Sequence, residues 1–416
     1  MFRLKLALPS FEKRIRWILS GYTISLIGTG MTEPYLFLYL YQLRDIPLNL
    51  SGMIIGASGM AGVLSIPISG FMADFVGKKQ VFLSALILDA AGRILFAFTF
   101  NEEIAFLAAF LSGAGAAGAW NALSVILADS AGQAQKASIF GVAFALQNLG
   151  SGLGAATSGI VVNKLSVFSF QFIFLLDAAT FILFALFGQK WILNDHQNGL
   201  NRHRKKHRSP FSSYQFGANG KVLSVLSFCY LTIALVMTGI TSTVFPQWST
   251  AQAHVPANTI GDAFGINSMV IVLGQLFILR LVKHVRRTRV IGIATLIFAT
   301  AYLMIFISGF LKPTPASIGF FFSFAITAVG ETLLFSSLPA LVNDLASENL
   351  RGRYNSMINA SWQLGSILGP ILAGLALSLH LAALLFLVFI SALILLVPFL
   401  IVLEHWIPNN SVNLGH

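Results

Sequence analysis

Eight residues of one apolar stretch return in the same order, without a gap, 215 positions further along the chain. Asp129, Lys136, Leu149, Gly150, Ser151, Leu153, Gly154 and Gly159 reappear as Asp344, Arg351, Leu364, Gly365, Ser366, Leu368, Gly369 and Gly374. A single ungapped alignment across such segments identifies a duplicated unit, so the chain is expected to build two like halves. Duplicated halves of this kind let one bundle rock against the other around a shared site.

Composition says where such halves can exist. Of the 416 residues, 56% are hydrophobic and only 10% are charged, with 37 Phe. A soluble fold of this size needs far more charge to cover its surface. A helix crossing a bilayer needs about 20 mostly apolar residues, and twelve such runs can be read: 17–41, 51–73, 80–100, 103–127, 137–162, 168–191, 222–246, 260–282, 290–310, 316–340, 354–379 and 381–403. The expected fold is therefore an all-α membrane protein of twelve transmembrane helices. The first run is about twice the length of a signal-peptide core and is read as a retained helix. The single cysteine, Cys229, lies in the seventh run and leaves no internal disulfide or cysteine metal site.

The formal net charge of +11 would point to nucleic acid in a soluble protein, but here it follows the loops. With twelve spans, the side holding both termini and the even-numbered connections carries 22 Lys and Arg, and the opposite side carries three: Arg44, Lys164 and Lys312. That asymmetry predicts a multi-pass protein of the cell (inner or plasma) membrane with both termini in the cytoplasm.

The longest polar break divides the chain into an N-terminal six-helix bundle over 1–192, a cytoplasmic basic linker over 193–221 and a C-terminal six-helix bundle over 222–416. The linker holds Arg202, Arg204, Lys205, Lys206 and Arg208. Beside a membrane, such a cluster is expected to lie on anionic lipid headgroups, at about 1 kcal/mol per charge. No aromatic interleaving accompanies it, so nucleic acid is not an expected partner.

Four local patterns are more specific. After the second run, Gly70, Asp74, Gly77, Lys78 and Lys79 make a charged turn whose glycines permit a tight reversal. Gly28 is followed in the first run by Glu33 and Pro34, and proline opens a helix where neighbours can satisfy the freed backbone. The fifth run carries Gly150, Gly152, Gly154 and Gly159, and its repeat carries Gly365, Gly369 and Pro370. Gly330, Glu331, Asp344, Arg351 and Arg353 mark the tenth-to-eleventh region.

Together these residues resemble the Major Facilitator Superfamily, and within it the bacterial twelve-helix drug:proton antiporters. The resemblance implies two pseudo-symmetric six-helix bundles and a cytoplasmic gate. Gly70, Asp74, Gly77, Lys78, Lys79, Asp129, Asp344, Arg351 and Arg353 match that gate, and Glu331 matches a glutamate used in proton coupling. The chain departs from the pattern in having Phe75 after the loop aspartate, Phe37 for a second proline, Ala155 for the helix-5 proline and Ala109 for an intramembrane arginine. The relay role of that arginine is therefore absent or moved, and Arg93 is the cation left within a span. Packing is the alternative reading of the glycine faces, because small residues let helices approach closely.

Charge inside the runs can be read without the resemblance. A charged side chain near the middle of a span costs about 2.5–3.5 kcal/mol on insertion scales, so few idle ones are retained. Asp89 and Arg93 are four apart on one helix and can neutralise each other, as a structural or a functional pair. Glu33 and Glu331 have no opposite charge within a turn and are expected, with Asp89 and Arg93, to carry proton coupling; the alternative for each is a glutamate hydrogen-bonded to a neighbouring helix. Asp177 is read as structural. Trp120, Asn121, Gln147, Asn148, Asn267, Gln275, Trp362 and Gln363 are expected to line a substrate cavity, Gln147 and Asn148 corresponding to Trp362 and Gln363 by the 215-residue offset. A roomy apolar pocket with aromatics and few acids suits lipophilic cations.

The expected function is thus secondary transport: proton-coupled antiport of hydrophobic or cationic small molecules, with substrate and protons as partners, no cofactor beyond the proton gradient, and a monomeric state. A narrow-specificity carrier for a sugar, metabolite or lipid is the alternative, and a transport-dead receptor the third reading. No nucleotide loop, metal-ligand cluster or nucleophile triad argues for an enzyme.

Overall fold

The computed structural model describes residues 11–130, 136–162, 166–192, 219–282, 284–347 and 350–407. The basic cluster at 202–208, most of the linker and Lys164 lie outside the described residues. Among the described residues there are no strands and twelve helical segments of 20 residues or more. In the first half these are α1 (Lys13–Thr32), α2 (Leu48–Phe75), α3 (Lys78–Ala97), α4 (Glu102–Ser130), α5 (Lys136–Val162) and α6 (Val167–Trp191). The second half has α7 (Gly220–Gly239), α8 (Asn258–Leu281), α9 (Arg287–Ser308), α10 (Pro313–Leu345), α11 (Arg351–Ser378) and α12 (Ala382–Trp406). Ten of them are long and apolar enough to cross a membrane; α1 and α8 are not among those ten. All-helical structure follows from the apolar runs, since in hydrocarbon each backbone N–H and C=O must find its partner within the helix.

Neither α1 nor α7 ends as a plain helix. Pro34 has no N–H to donate, and the chain tightens into a 3₁₀ turn over Glu33–Tyr35 before running on through Leu36–Leu38 and a π turn over Tyr39–Leu43. The continuation of α7 holds Pro246 between π turns over Ile240–Val244 and Trp248–Gln252. Both extensions finish alike. The Ile46 N–H reaches the Leu40 carbonyl at 3.0 Å and the Val255 N–H reaches the Ser249 carbonyl at 3.1 Å, with Asp45 and His254 at φ 52° and 54°. Each is anchored by an aromatic side chain donating to the end of a neighbouring helix: the Tyr39 hydroxyl to the Phe96 carbonyl (2.6 Å), the Trp248 indole N–H to the Phe306 carbonyl (3.4 Å). The duplication thus persists in backbone geometry where the side chains no longer repeat.

Within each half the duplicated glycines do the same packing. Gly150 and Gly154 lie against the α1 backbone at Thr23 and Ile27, while Gly365 and Gly369 lie against α7 at Leu231 and Leu235. A Cβ at Gly154, Gly365 or Gly369 would collide with backbone and one at Gly150 with the Leu26 Cβ, which is the requirement small residues meet in membrane interfaces.

Helix starts and ends share one end of the molecule in an up-and-down pattern. Lys78 at the start of α3 pairs with Asp129 at the end of α4, and Arg287 at the start of α9 pairs with Asp344 at the end of α10. The Arg14 Nε donates to the Trp191 carbonyl at 2.9 Å, and the Asn219 amide to the Leu345 carbonyl at 2.9 Å. This is the end to which the sequence assigns the basic loops.

The two halves meet along two seams, α2 with α11 and α5 with α8. At the end opposite the basic loops they interlock. A Cβ on Gly374 would lie 2.7 Å from the Leu48 carbonyl, Gly56 faces Ile367 and Ile371, and Gly159 faces Asn258. Gln42 donates to Thr250 across the halves (3.1 Å), and the Gly261 N–H donates to the Tyr35 hydroxyl (2.9 Å). Towards the basic end the seams part. Gly141 on α5 and Gly352 on α11 have nothing within 4 Å of a built Cβ, and Phe71 and Phe75 at the end of α2 are exposed.

Candidate functional site

The break in α1 sets the site. Thr32 is the last residue of its regular helix, and Glu33 the first of the 3₁₀ turn. Arg93, inside α3, is bound from three sides. Its Nε donates to Asp89 Oδ1 at 3.1 Å, its Nη1 lies 3.3 Å from Asp177 Oδ2 on α6, and the same Nη1 donates to the Thr32 hydroxyl at 3.0 Å. Thr32 in turn donates to Asp177 Oδ2 at 2.8 Å. The guanidinium also sits 5.8 Å from the centre of the Phe181 ring. The side chains of Asp89 and Asp177 are fully buried, and Asp89 Oδ2 and Asp177 Oδ1 have no hydrogen-bond partner.

Two glycines hold the surrounding helices at that distance. Gly28 faces Asp177 and Thr180, so α1 lies directly on α6, and Gly92 faces Ala108 and Ser112 on α4. The spacing of Asp89 and Arg93 predicts their pair. The third partner comes from a helix far away in sequence, so no local spacing reveals it.

A cavity of about 350 Å³ opens on this cluster. Glu33, Asp89 and Arg93 form its polar wall, and Tyr22, Trp120 and Phe181 contribute aromatic faces. Glu33 is exposed to that space. Tyr22 stacks on Trp120 with ring centres 5.6 Å apart and donates from its hydroxyl to Gln147 Oε1 at 3.4 Å. The second half repeats this arrangement with other residues: Trp362, the counterpart of Gln147, packs on Tyr230 (5.0 Å) and Phe335 (5.3 Å).

Glu331 sits in the second half, partly exposed, and its Oε2 accepts from the Asn267 amide at 3.2 Å; the same amide reaches the Phe324 carbonyl at 3.3 Å. Two sequence-stated candidates, one acid and one amide from α10 and α8, are thereby brought together. Glu33 and Glu331 each sit in the polar neighbourhood of their own bundle, Glu33 beside Asp89 and Arg93 at the cavity wall and Glu331 beside Asn267.

The other expected residues fall in several places. Asn121 donates to Ser69 (2.9 Å) and ties α4 to α2, while Asn148 donates to the Phe144 carbonyl of its own helix (3.0 Å). Gln363 accepts from Ser366 at 3.4 Å, and Gln275 is partly buried on α8. Of the gate residues, Gly77 adopts φ 94°, a left-handed conformation that glycine takes without strain, and Lys79 donates to the Gln189 carbonyl at 2.6 Å. Gly70 faces Asn121, and Asp74, Arg351 and Arg353 are exposed at the basic end. Lys78 and Asp129, like Arg287 and Asp344, join helices within a half rather than across the two.

Sequence reasoning passed over Asp262, which stands one turn into α8, partly exposed, with its Oδ2 3.4 Å from the Asn258 amide. Its place inside the eighth apolar run was the available signal. Among the described residues, no group of His, Cys, Asp and Glu is arranged to hold a metal ion.

Two bundles with duplicated glycine seams and paired breaks in α1 and α7 describe a transporter architecture, and the family model of that name matches residues 18–247 and 226–412. The chain belongs to the Major Facilitator Superfamily. It is 22% identical over 379 residues to the uncharacterised MFS-type transporter YttB of Bacillus subtilis (strain 168), covering 87% of this chain and 88% of that protein. It is 28% identical to the quinolone resistance protein NorA of Staphylococcus aureus over 159 residues, 38% of this chain and 40% of NorA. The nucleoside transporter NupG has the same fold, with a TM-score of 0.76 at 14% identity, over 94% of this chain and 99% of that one. As a member of this family with, among the described residues, ten helices long and apolar enough to cross a membrane, it is a multi-pass membrane transporter.

Proposed function

We propose that this transporter exchanges protons for hydrophobic, often cationic small molecules by alternating access. The observation that carries the reading is the charge imbalance at the cavity wall. Glu33, Asp89 and Asp177 are gathered around one arginine, and a buried carboxyl oxygen on each of the two aspartates lacks a donor. Isolated charge is expensive at membrane depth. A proton, or the positive charge of a substrate, restores the balance, and the two cannot both do so at once. Competition of that kind becomes exchange when the site opens alternately to the two sides.

The lining fits the same cargo. Aromatic faces from Tyr22, Trp120 and Phe181 beside a carboxylate suit a flat or branched organic cation, which gains from ring quadrupoles as well as charge. Glu331, held by Asn267, is the coupling group of the second half in this reading. The parting of the seams at the basic end corresponds, under the positive-inside rule, to a site open to the cytoplasm. Export of a cytoplasmic or membrane-dissolved substrate then begins from this state. No cofactor beyond the proton gradient and no bond-making step is invoked. The basic loops rest on anionic lipid, and the working unit is one chain.

Proteoliposomes with an acidic lumen test the reading. A lipophilic cationic dye should accumulate inside; accumulation should collapse in Glu33→Gln, with weakened dye binding, and in Glu331→Gln, with dye binding to the purified protein retained. Proton-driven accumulation retained by Glu331→Gln removes that residue as a coupling site. Dye flux unaffected by the pH difference in the unaltered protein ends the exchange mechanism and leaves a facilitator of another cargo.

A further inference from the structure

The second half carries a cleft on its outer side. The halves meet through α2 with α11 and α5 with α8, whereas α9 packs on α10 and α12, and α12 packs on α9 and α7. The remaining faces of α9 and α12 therefore look away from the space between the halves. Their side chains agree with that direction. On α9 the exposed residues Arg289, Ile293, Leu296, Thr300, Leu303 and Ile307 follow each other at helical spacings of three and four, one stripe whose single charge stands at the basic end. α12 has no charged residue between Ala382 and Val402, and Trp406 is exposed just beyond, the place of an interfacial tryptophan. Such a surface meets hydrocarbon along its length and headgroups at the basic end.

Between the two helices at that end is a cavity of about 410 Å³. Ile293, Leu296, Val397 and Ile401 are its apolar walls, and Thr288, Arg289, Glu404 and His405 line it where α9 begins and α12 ends. Gly292 makes the room. Glycine weakens a helix interior, and unlike Gly365 or Gly369 this one has no neighbour within 4 Å of a built Cβ, so the space it leaves is the cleft it lines. The polar end suits an anion. α9 begins without a side-chain cap, so its first N–H groups are unsatisfied at the positive end of the helix dipole. Thr288, in that first turn, is 1% exposed, and its Oγ1 has no hydrogen-bond partner among the described residues. The Glu404 carboxylate is already held. Its Oε1 accepts from Arg286 Nη1 at 2.6 Å and Arg289 Nη2 at 2.9 Å, and its Oε2 accepts from Arg289 Nε at 3.0 Å. Two arginines on one carboxylate leave a net positive charge, and the Arg289 side chain is 61% exposed, with Nη1 in none of these bonds.

We infer that this cleft binds one anionic phospholipid, its phosphate at Arg289, Thr288 and the start of α9, and an acyl chain between Ile293, Leu296, Val397 and Ile401. The apolar part runs roughly 10 Å along α9 from Arg289 to Leu296, at 1.5 Å per residue. A zwitterionic head fits less well, because its ammonium group finds the one carboxylate occupied by two arginines. A free phosphate gains nothing from aliphatic walls that open on hydrocarbon. The site rests on the reading that the basic end meets anionic lipid and narrows that general attraction to one place; it does not depend on proton exchange.

The purified full-length protein in an uncharged detergent, titrated with phosphatidylglycerol and read by native mass spectrometry, tests it. The first lipid should bind saturably and about tenfold more tightly than phosphatidylcholine with the same chains. Arg289→Gln should weaken that step about tenfold and Thr288→Val about threefold, the scales of a charged and a neutral hydrogen bond. Gly292→Leu, which fills the cleft where no neighbour stands, should abolish it without lowering the unfolding temperature. Glycerol phosphate at the same concentration should not displace the lipid. Equal affinity for the two lipids, or a first step indifferent to Gly292→Leu, overturns the inference. Displacement by glycerol phosphate also overturns it, by showing a site for free anions. A preference that survives all three variants and disappears when Arg202, Arg204, Lys205, Lys206 and Arg208 are changed to Gln belongs to the linker; it leaves the general attraction standing and removes this site.

Discussion

The guanidinium of Arg93 and the carboxylate of Asp177 lie 3.3 Å apart, with the Thr32 hydroxyl bound to both. Through them the last regular turn of α1, the last turns of α3 and the middle of α6 share one polar contact. Any movement of the broken segment at Glu33 must carry Thr32 with it, so a change of partner at Arg93 and a change in the shape of α1 are the same event. In a family whose cycle tilts one bundle against another, that makes the cluster a natural point at which charge and conformation are linked.

Arg93→Met should destabilise the protein by about 3–5 kcal/mol, because it leaves acids buried without their cation. Adding Asp89→Asn and Asp177→Asn to that change should recover most of the loss, since neutral groups of similar shape carry no such penalty. Unfolding in mixed micelles measures both. A triple variant no more stable than Arg93→Met shows that the three side chains are not electrostatically coupled.

What was legible in the sequence follows from the range of the interaction. The duplicated glycines 150, 154, 365 and 369 could be read because each half packs them against its own first helix, and a shared packing task preserved the residues. Asp89 and Arg93 could be read because helical spacing alone brings them together. The partner of Asp177 could not, since Arg93 reaches it through the packing of α3 on α6, nor could the link between Asn267 and Glu331, which spans α8 and α10. The match of α1 to α7 was hidden for another reason: their ends repeat as backbone turns at Asp45 and His254, with unrelated side chains. The interlock between halves depends on which ends of the seams are closed, and one sequence serves every state of that cycle.

Gly77→Ala should cost roughly 1–2 kcal/mol, because φ 94° places a Cβ against the following carbonyl. The loss should appear as a lower unfolding temperature with transport per folded molecule unchanged. Gly70→Ala, at a position with 3.9 Å of room before Asn121, should be tolerated far better. Equal losses at both positions argue that packing, and not the turn conformation, selects glycine at 77.

Gly374→Leu should push α11 from α2, where a Cβ already meets the Leu48 carbonyl at 2.7 Å and backbone cannot yield. With Cys229 replaced by Ala and spin labels at Asn49→Cys and Ser378→Cys, the inter-label distance should lengthen by several ångströms. The opposite ends should draw together if the halves move as rigid bodies about the seam. Lengthening at one end with no change at the other instead indicates local fraying of α11.

Asp74→Asn tests whether the charged turn after α2 acts between the halves. In the present state Lys78 is paired with Asp129 inside the first half, and Asp74 is exposed at the parted end. A carboxylate that helps close this end does so by reaching a helix start of the other half, where backbone N–H groups point outward. Removing its charge should then weaken the closed state, by about 0.3–1 kcal/mol for a surface helix-end interaction. Spin labels across the α2 and α11 ends on the basic side should report a population moved towards the long distance, by up to about fivefold in the ratio of states. High salt should reproduce the shift in the unaltered protein, because screening removes the same attraction. Distances indifferent to both the substitution and the salt leave Asp74 without a role in closure, and closure must then come from apolar contact between the parted ends of α2 and α11.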